Sequence, residues 1–154
     1  YGGYVVQLAK AEGLTVIVDA AEADEELVRS LGADIIIRRG GDFPALIREH
    51  FPDGVDGLAD GALLNERAIP AVRDGGMFTS IRGFVGEPQC DITFTTTFVR
   101  SYDCEFEKLD RLRQMVEAGT VTLRVADVYP PERTGEAHRR LDAGGTRGRL
   151  VIEF

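Results

Sequence analysis

The residues with chemical potential are few and fall at strand or helix ends. Gly2 and Gly3 open an apolar-periodic stretch, and Asp19 closes a β-branched run with Ala20 beside it. Arg38 and Arg39 follow a second apolar run, Asp60-Gly61-Ala62 a third, and Ser80-Ile81-Arg82-Gly83 a fourth. A glycine at a helix start lets backbone N–H groups approach an anion, a carboxylate at a strand end accepts ribose hydroxyls, and a guanidinium clamps phosphate or stacks on a base. A glycine-opened helix followed by a buried strand ending in an acid is the second half of a dinucleotide fingerprint. Either Gly2 or Gly3 can be its last glycine. Counting back from Gly32 puts Asp19 at the ribose position, and counting from the glycine pair leaves Ala20 as the rival.

The elements that must hold these residues alternate. Val5, Leu8 and Ala9 share one helical face, with Gln7, Lys10 and Glu12 mostly off it, and Gly13 ends the helix. Thr15 to Val18 reads as a strand covered on both faces, closed by Asp19. Asp24 to Leu31 is a helix stopped by Gly32; Asp34 to Ile37 is a strand, and Pro44 to His50 a helix. Val55 to Asp60 is a strand, Leu63 to Arg73 a helix stopped by Asp74-Gly75-Gly76, and Met77 to Ile81 a strand. A Thr/Phe-rich strand from Ile92 to Val99 precedes a helix from Glu105 to Ala118 with Leu109, Leu112, Met115 and Val116 inward. Leu123 to Tyr129, Thr134 to Ala143 and Arg149 to Phe154 read as strand, helix and strand. This alternation predicts an α/β fold with a mostly parallel, doubly wound sheet.

Composition narrows the function classes. At 154 residues and 44% hydrophobic, with a mean hydropathy of -0.10, the chain has enough apolar content for one sizeable core. A formal net charge of -8 disfavours nucleic acid and anionic membrane as partners. No basic region precedes a compact apolar core at the start, so a cytoplasmic location is expected. Cys90 and Cys104 lack metal-ligand spacing and read as free thiols; His50 and His138 read as structural or solvated. No Ser/His/Asp set, paired-carboxylate site or zinc cluster is evident, so no metal is expected in this segment.

The order and spacing of several short pieces carry a resemblance. Tyr4-Val5-Val6-Gln7-Leu8-Ala9-Lys10, Leu31-Gly32-Ala33-Asp34, Asp74-Gly75-Gly76, Glu136-Ala137-His138-Arg139-Arg140-Leu141 and Gly148-Arg149-Leu150-Val151 together resemble the cofactor-binding half of the medium-chain dehydrogenase/reductase superfamily, in its quinone oxidoreductase-like branch. The resemblance implies a Rossmann-type domain over residues 1–122, lacking its first strand, and a segment 123–154 that packs on a barrel-like catalytic domain. It also implies a strand and a glycine-rich turn directly before Tyr1. The absent strand is central, so a gap is expected between the strands ending at Asp19 and Asp60.

By the same resemblance Gly2 or Gly3 faces pyrophosphate, Arg38 and Arg39 meet the adenosine end, and the turns at Gly61 and at Ser80, Ile81 and Arg82 line the nicotinamide ribose. Thr97, Phe98 and Val99 match the segment that contacts the carboxamide, core packing being the alternative for Phe98. The implied reaction moves hydride from NAD or NADP, in reduced form, to a small-molecule acceptor such as a quinone or an α,β-unsaturated carbonyl, in a homodimer. Relatives in that branch usually take NADP and carry small or basic residues after the second strand. Here Asp19, Glu22 and Asp24 are acidic and favour NAD, whereas Arg38 and Arg39 favour NADP. A zinc-dependent alcohol dehydrogenase, a non-catalytic nucleotide-binding module and a methyltransferase are the competing readings.

Overall fold

The computed structural model describes residues 1–40, 42–96 and 98–154. It comprises two compact units, residues 1–112 and 113–154. In the first, α1 (Gly2–Ala11), β1 (Ile17–Ala20), α2 (Glu25–Ser30), β2 (Ile35–Arg38), α3 (Phe43–His50), β3 (Val55–Asp60), β4 (Val72–Ser80) and β5 (Thr93–Thr96) follow in order. Helix α4 (Phe106–Glu117) runs across the division. The second unit contains β6 (Val125–Tyr129), α5 (Thr134–Asp142) and β7 (Arg149–Ile152). No helix among the described residues is long and apolar enough to cross a membrane.

Among the described residues every strand pair is parallel, but the strands form three separate ladders: β1-β2, β3-β4-β5 and β6-β7. β1 and β3 do not pair, which is the gap expected between the strands ending near Asp19 and at Asp60. The expectation of full burial for the first two strands fails for the same reason. Only Ala20 in β1 and Ile37 in β2 are buried, because a two-stranded ladder leaves each strand's outer edge without a paired neighbour.

An ion pair fixes α1 to this ladder. Lys10 Nζ donates to both carboxylate oxygens of Asp34 at 2.9 Å and to the Leu14 carbonyl at 3.0 Å. The same carboxylate accepts the Val16 N–H at 2.7 Å, immediately before β1. Gly32, at φ +104°, is what lets the lysine pass: a Cβ there would lie 2.8 Å from Lys10 Cγ. Gln7, expected off the apolar face, is buried because its amide turns back to donate to the Gly3 carbonyl at 3.0 Å.

The helix expected from Leu63 to Arg73 is instead a 3-10 segment, Asn65–Ala71, after which Val72 and Arg73 already belong to β4. Leu63 and Asn65 both sit at positive φ, which no α-helix start allows, and Pro70 removes an N–H inside the segment. Asp74-Gly75-Gly76 is therefore not a helix stop but a bulge. Val72 pairs with Val55 and Met77 with Gly57, so β4 carries extra residues that bow outward. Gly75 has φ +68°, and a Cβ on Gly76 would sit 2.6 Å from Val72 Cγ1. Arg73 Nε reaches across to Asp56 at 2.6 Å.

Two apolar clusters hold the first unit. Ala68, Ile69, Val72, Phe78 and Ile92 form one, and Ile37, Ile47 and Ala71 the other. Phe43 and Leu58 pack against both. Phe78 is fully buried, with ring centroids 5.7 Å from Phe84 and 5.6 Å from Phe94. By contrast, α4 has no buried residue, and Leu109 and Leu112, expected inward, are exposed. Its periodicity is real, but periodicity cannot supply a covering neighbour. In the second unit Arg140, on α5, bonds the Asp127 carboxylate and the Tyr129 hydroxyl of β6, and Asp127 is held below the usual carboxylate range by Arg140 first and then by the Val128 N–H.

Two outcomes follow from this packing. Phe78→Ala removes a fully buried ring and should cost about 3–5 kcal/mol in denaturant unfolding; a loss under about 1 kcal/mol would mean that the cluster refills. The Val16 N–H, and then Lys10, hold the Asp34 carboxyl below its ordinary range. A lowered folded pKa adds stability that is complete above the ordinary carboxylate range and vanishes as pH falls through the lowered value. Asp34→Asn should therefore be less stable at neutral pH and lose less stability on acidification than wild type, read as urea midpoints at about pH 7 and about pH 3.

Candidate functional site

The carboxyl ends of β1 and β2 lie side by side, Asp19 opposite Ile37 and Ala20 opposite Arg38. One further step of the ladder, the Arg39 N–H donating to the Ala20 carbonyl at 2.9 Å, aims Arg39 back over β1. Its Nε donates to Asp19 Oδ2 at 2.8 Å and its Nη2 to the Asp19 carbonyl at 3.3 Å. Arg38 Nη2 donates to Glu22 Oε2 at 2.6 Å. These residues border a cleft of about 240 Å³ lined by Asp19, Arg38, Arg39, Gly40, Phe43, Leu64 and Arg67. Ala20 is only 2% exposed and is absent from that lining, so Asp19 is the residue that faces the cleft.

Phe43, Leu64 and Arg67 carry no motif. Phe43 opens α3, whose first turn is capped by Asp42 accepting the Ala45 N–H at 3.3 Å, and Leu64 and Arg67 come from the segment after β3. Only the packing of these segments over β2 brings them to the cleft.

A second group gathers at the start of α1 and the ends of β3 and β4. Gly2 and Gly3 are the first helical residues. A Cβ on Gly3 would press to 3.1 Å on Leu31 Cδ1, whereas one on Gly2 would meet open space. Gly3 is thus closely packed against Leu31, whereas Gly2 borders open space. The Tyr1 ring lies beside Gly61, which stays exposed; a Cβ there would lie 2.5 Å from Tyr1 Cδ1. Burial, and then the nearby Asp60 charge, push the Tyr1 hydroxyl pKa up. Asp60 is buried and accepts the N–H groups of Ala62 at 3.0 Å and Asn65 at 2.8 Å, which shapes the turn that carries Gly61.

Ser80, opposite Asp60, is fully buried, and its Oγ accepts the Arg82 N–H at 3.3 Å. Ile81 is half-buried and Arg82 exposed. Phe98 is 63% exposed, which overturns core packing as its alternative role. Val99 begins the 3-10 segment Val99–Tyr102, while Thr97 and the Val99 side chain lie outside the described residues. The cleft thus unites Asp19, Arg38 and Arg39, and its lining does not include Gly2, Gly3, Gly61, Ser80, Ile81, Arg82 or Phe98.

Among the described residues no group of three or more His, Cys, Asp or Glu side chains is placed to hold a metal ion. Cys90 and Cys104 are both exposed free thiols. The donors described do not fit a zinc ion.

Parallel strands alternating with helices make this a Rossmann-like α/β fold, of the class in which ligands bind at the carboxyl ends of the strands. A family model described as zinc-binding dehydrogenase matches residues 5–152, and the chain belongs to that family, within the medium-chain dehydrogenase/reductase superfamily. It is 28% identical over 98% of its length to an NADPH-dependent alkenal/one oxidoreductase, chloroplastic, of Arabidopsis thaliana, and 29% identical over 98% to a 2-methylene-furan-3-one reductase of Solanum lycopersicum. In each case it spans 37% of the relative's length. A solved NAD-dependent alcohol dehydrogenase superposes with a TM-score of 0.77 at 27% identity, covering 99% of this chain and 47% of that one.

Proposed function

We propose that this chain is the cofactor-binding part of a reductase that moves hydride from a nicotinamide dinucleotide to an activated double bond, of the α,β-unsaturated carbonyl or quinone type. The observation that carries the reading is the meeting of Asp19, Arg38 and Arg39 in one cleft at the carboxyl ends of adjacent parallel strands. The likeness to alkenal and furanone reductases supports the acceptor class.

The cofactor supplies the hydride; the chain supplies position and electrostatics. The first N–H groups of α1 face the pyrophosphate across the open side of Gly2, where the helix dipole favours negative charge. Asp19 and the arginines receive the adenosine ribose. The turns shaped by Asp60 and Ser80 offer backbone groups at Gly61 and at Ile81-Arg82 to the nicotinamide ribose. Phe98, with its ring open to solvent, offers an apolar face to the carboxamide end. A second reading, alcohol oxidation with NAD, draws on the likeness to the NAD-dependent alcohol dehydrogenase and on the acidic Asp19.

Turnover of the intact protein separates these readings. NADH or NADPH should be consumed with an alkenal or a quinone; binding of cofactor with no consumption by either acceptor, but reduction of NAD by a primary alcohol, would put the second reading first. Asp19→Ser should raise the affinity for NADPH relative to NADH by roughly tenfold, since it removes a carboxylate beside the 2′ position. An unchanged ratio in fluorescence titration would take Asp19 out of contact with the ribose.

A further inference from the structure

The cleft at Asp19 contains more positive charge than its ion pairs use. Two of its three guanidiniums are matched: Arg38 by Glu22 and Arg39 by Asp19. The third, on Arg67, forms no ion pair among the described residues and lies opposite in origin, on the 3-10 segment that follows β3. It also lines an adjoining cleft of about 470 Å³ with Asp42, Phe43 and Leu64, so open volume surrounds it on two sides. In the same lining, Phe43 and Leu64 are half-buried apolar surface of a kind that suits a base.

Resting on the dinucleotide reading above, we propose that Arg67 is a specificity-determining residue, the unpaired cation that lets this cleft take a phosphomonoester on the adenosine ribose despite Asp19 and Glu22. Arg38 and Arg39 are each engaged by a carboxylate, Glu22 and Asp19. Arg67 forms no ion pair among the described residues, although Asp42 lines the adjoining cleft with it, and is the guanidinium of this cleft that an incoming phosphate can engage without first displacing a carboxylate. The Arg39–Asp19 pair also yields readily: its side chains are 57% and 27% exposed, and exposed pairs are weak. A phosphate dianion offers Arg39 more charge and a bidentate geometry that the single carboxylate bond lacks. Arg39 then moves from Asp19 to phosphate, and Arg67 closes the site from the β3 side. Asp19 still favours a free 2′-hydroxyl, but its pairing with Arg39 is exchangeable, so the acid lowers the affinity for the phosphate without closing the cleft to it.

The test uses the intact protein, wild type, R67Q and R67K, titrated with NADPH, NADH, adenosine 2′,5′-bisphosphate and 5′-AMP. R67Q should weaken NADPH and the bisphosphate by about tenfold and leave NADH and 5′-AMP within about twofold, with R67K recovering part of the loss. The NADPH affinity of wild type should also fall more steeply with salt than that of R67Q. Equal weakening of both dinucleotides, no change in either, or a wild type that binds NADH but not NADPH would overturn the role of Arg67 while the dinucleotide reading stands. A wild type that binds neither dinucleotide would overturn that reading and this one together. Far-ultraviolet circular dichroism and a melting curve on each variant separate loss of the contact from loss of the fold.

Discussion

The Asp34 carboxylate is the constraint on which the geometry of the first unit depends. It receives the Lys10 ammonium from the last turn of α1 and the Val16 N–H that precedes β1, and it stands one residue before β2. Three elements are thereby set by one charged group, and their far ends are the parts that matter for binding. Fixing the end of α1 fixes where its glycine start points, and fixing the beginnings of β1 and β2 fixes where Asp19 and Arg39 emerge. The lowered Asp34 pKa is the electrostatic counterpart of that arrangement, because each of its partners favours the charged form.

Between the two ladders of the first unit the link is apolar rather than hydrogen-bonded. Phe43 and Leu58 touch both clusters, and the ordering of α3 and the 3-10 segment against each other follows from burying Ile47, Ala71 and Ala68. Arg48 adds directional bonds, donating to the Pro70 carbonyl at 2.8 Å and the Pro52 carbonyl at 2.7 Å. The same packing that joins the ladders brings Leu64 and Arg67 into one cleft lining with Arg38 and Arg39. The cleft is thus a consequence of how the core closes over β2.

The charges of that cleft are coupled. Asp19 and Arg39 imply different cofactors when each is considered alone, but in space they are the two halves of one exposed ion pair. A pair of this kind contributes little to stability, about 0–1 kcal/mol, and so can be exchanged for a ligand contact at small cost. Arg67 is the guanidinium that these ion pairs leave over.

Hydrophobic period and glycine placement determined much of the fold in the sequence itself: the alternation of helices and strands, the parallel pairing, and the Gly13 and Gly32 stops. These are local or pattern properties, written in residues within a few positions of one another. The strand ends that carry Asp19, Arg38, Gly61 and Ser80 were legible for the same reason. Tertiary structure alone decided the rest. The segment after β3 became a 3-10 turn because Leu63 and Asn65 take positive φ around the Asp60 carboxylate, a choice that propensity does not encode. Asp74-Gly75-Gly76 became a bulge because β4 pairs with β3 on both sides of it. The exposed face of α4 shows that an apolar stripe specifies a helix but not its cover. Arg67 joins the cleft only because cores close in three dimensions: it is far from Arg38 along the chain, and nothing in its neighbours distinguishes it from a solvated surface arginine until packing sets it in the same lining.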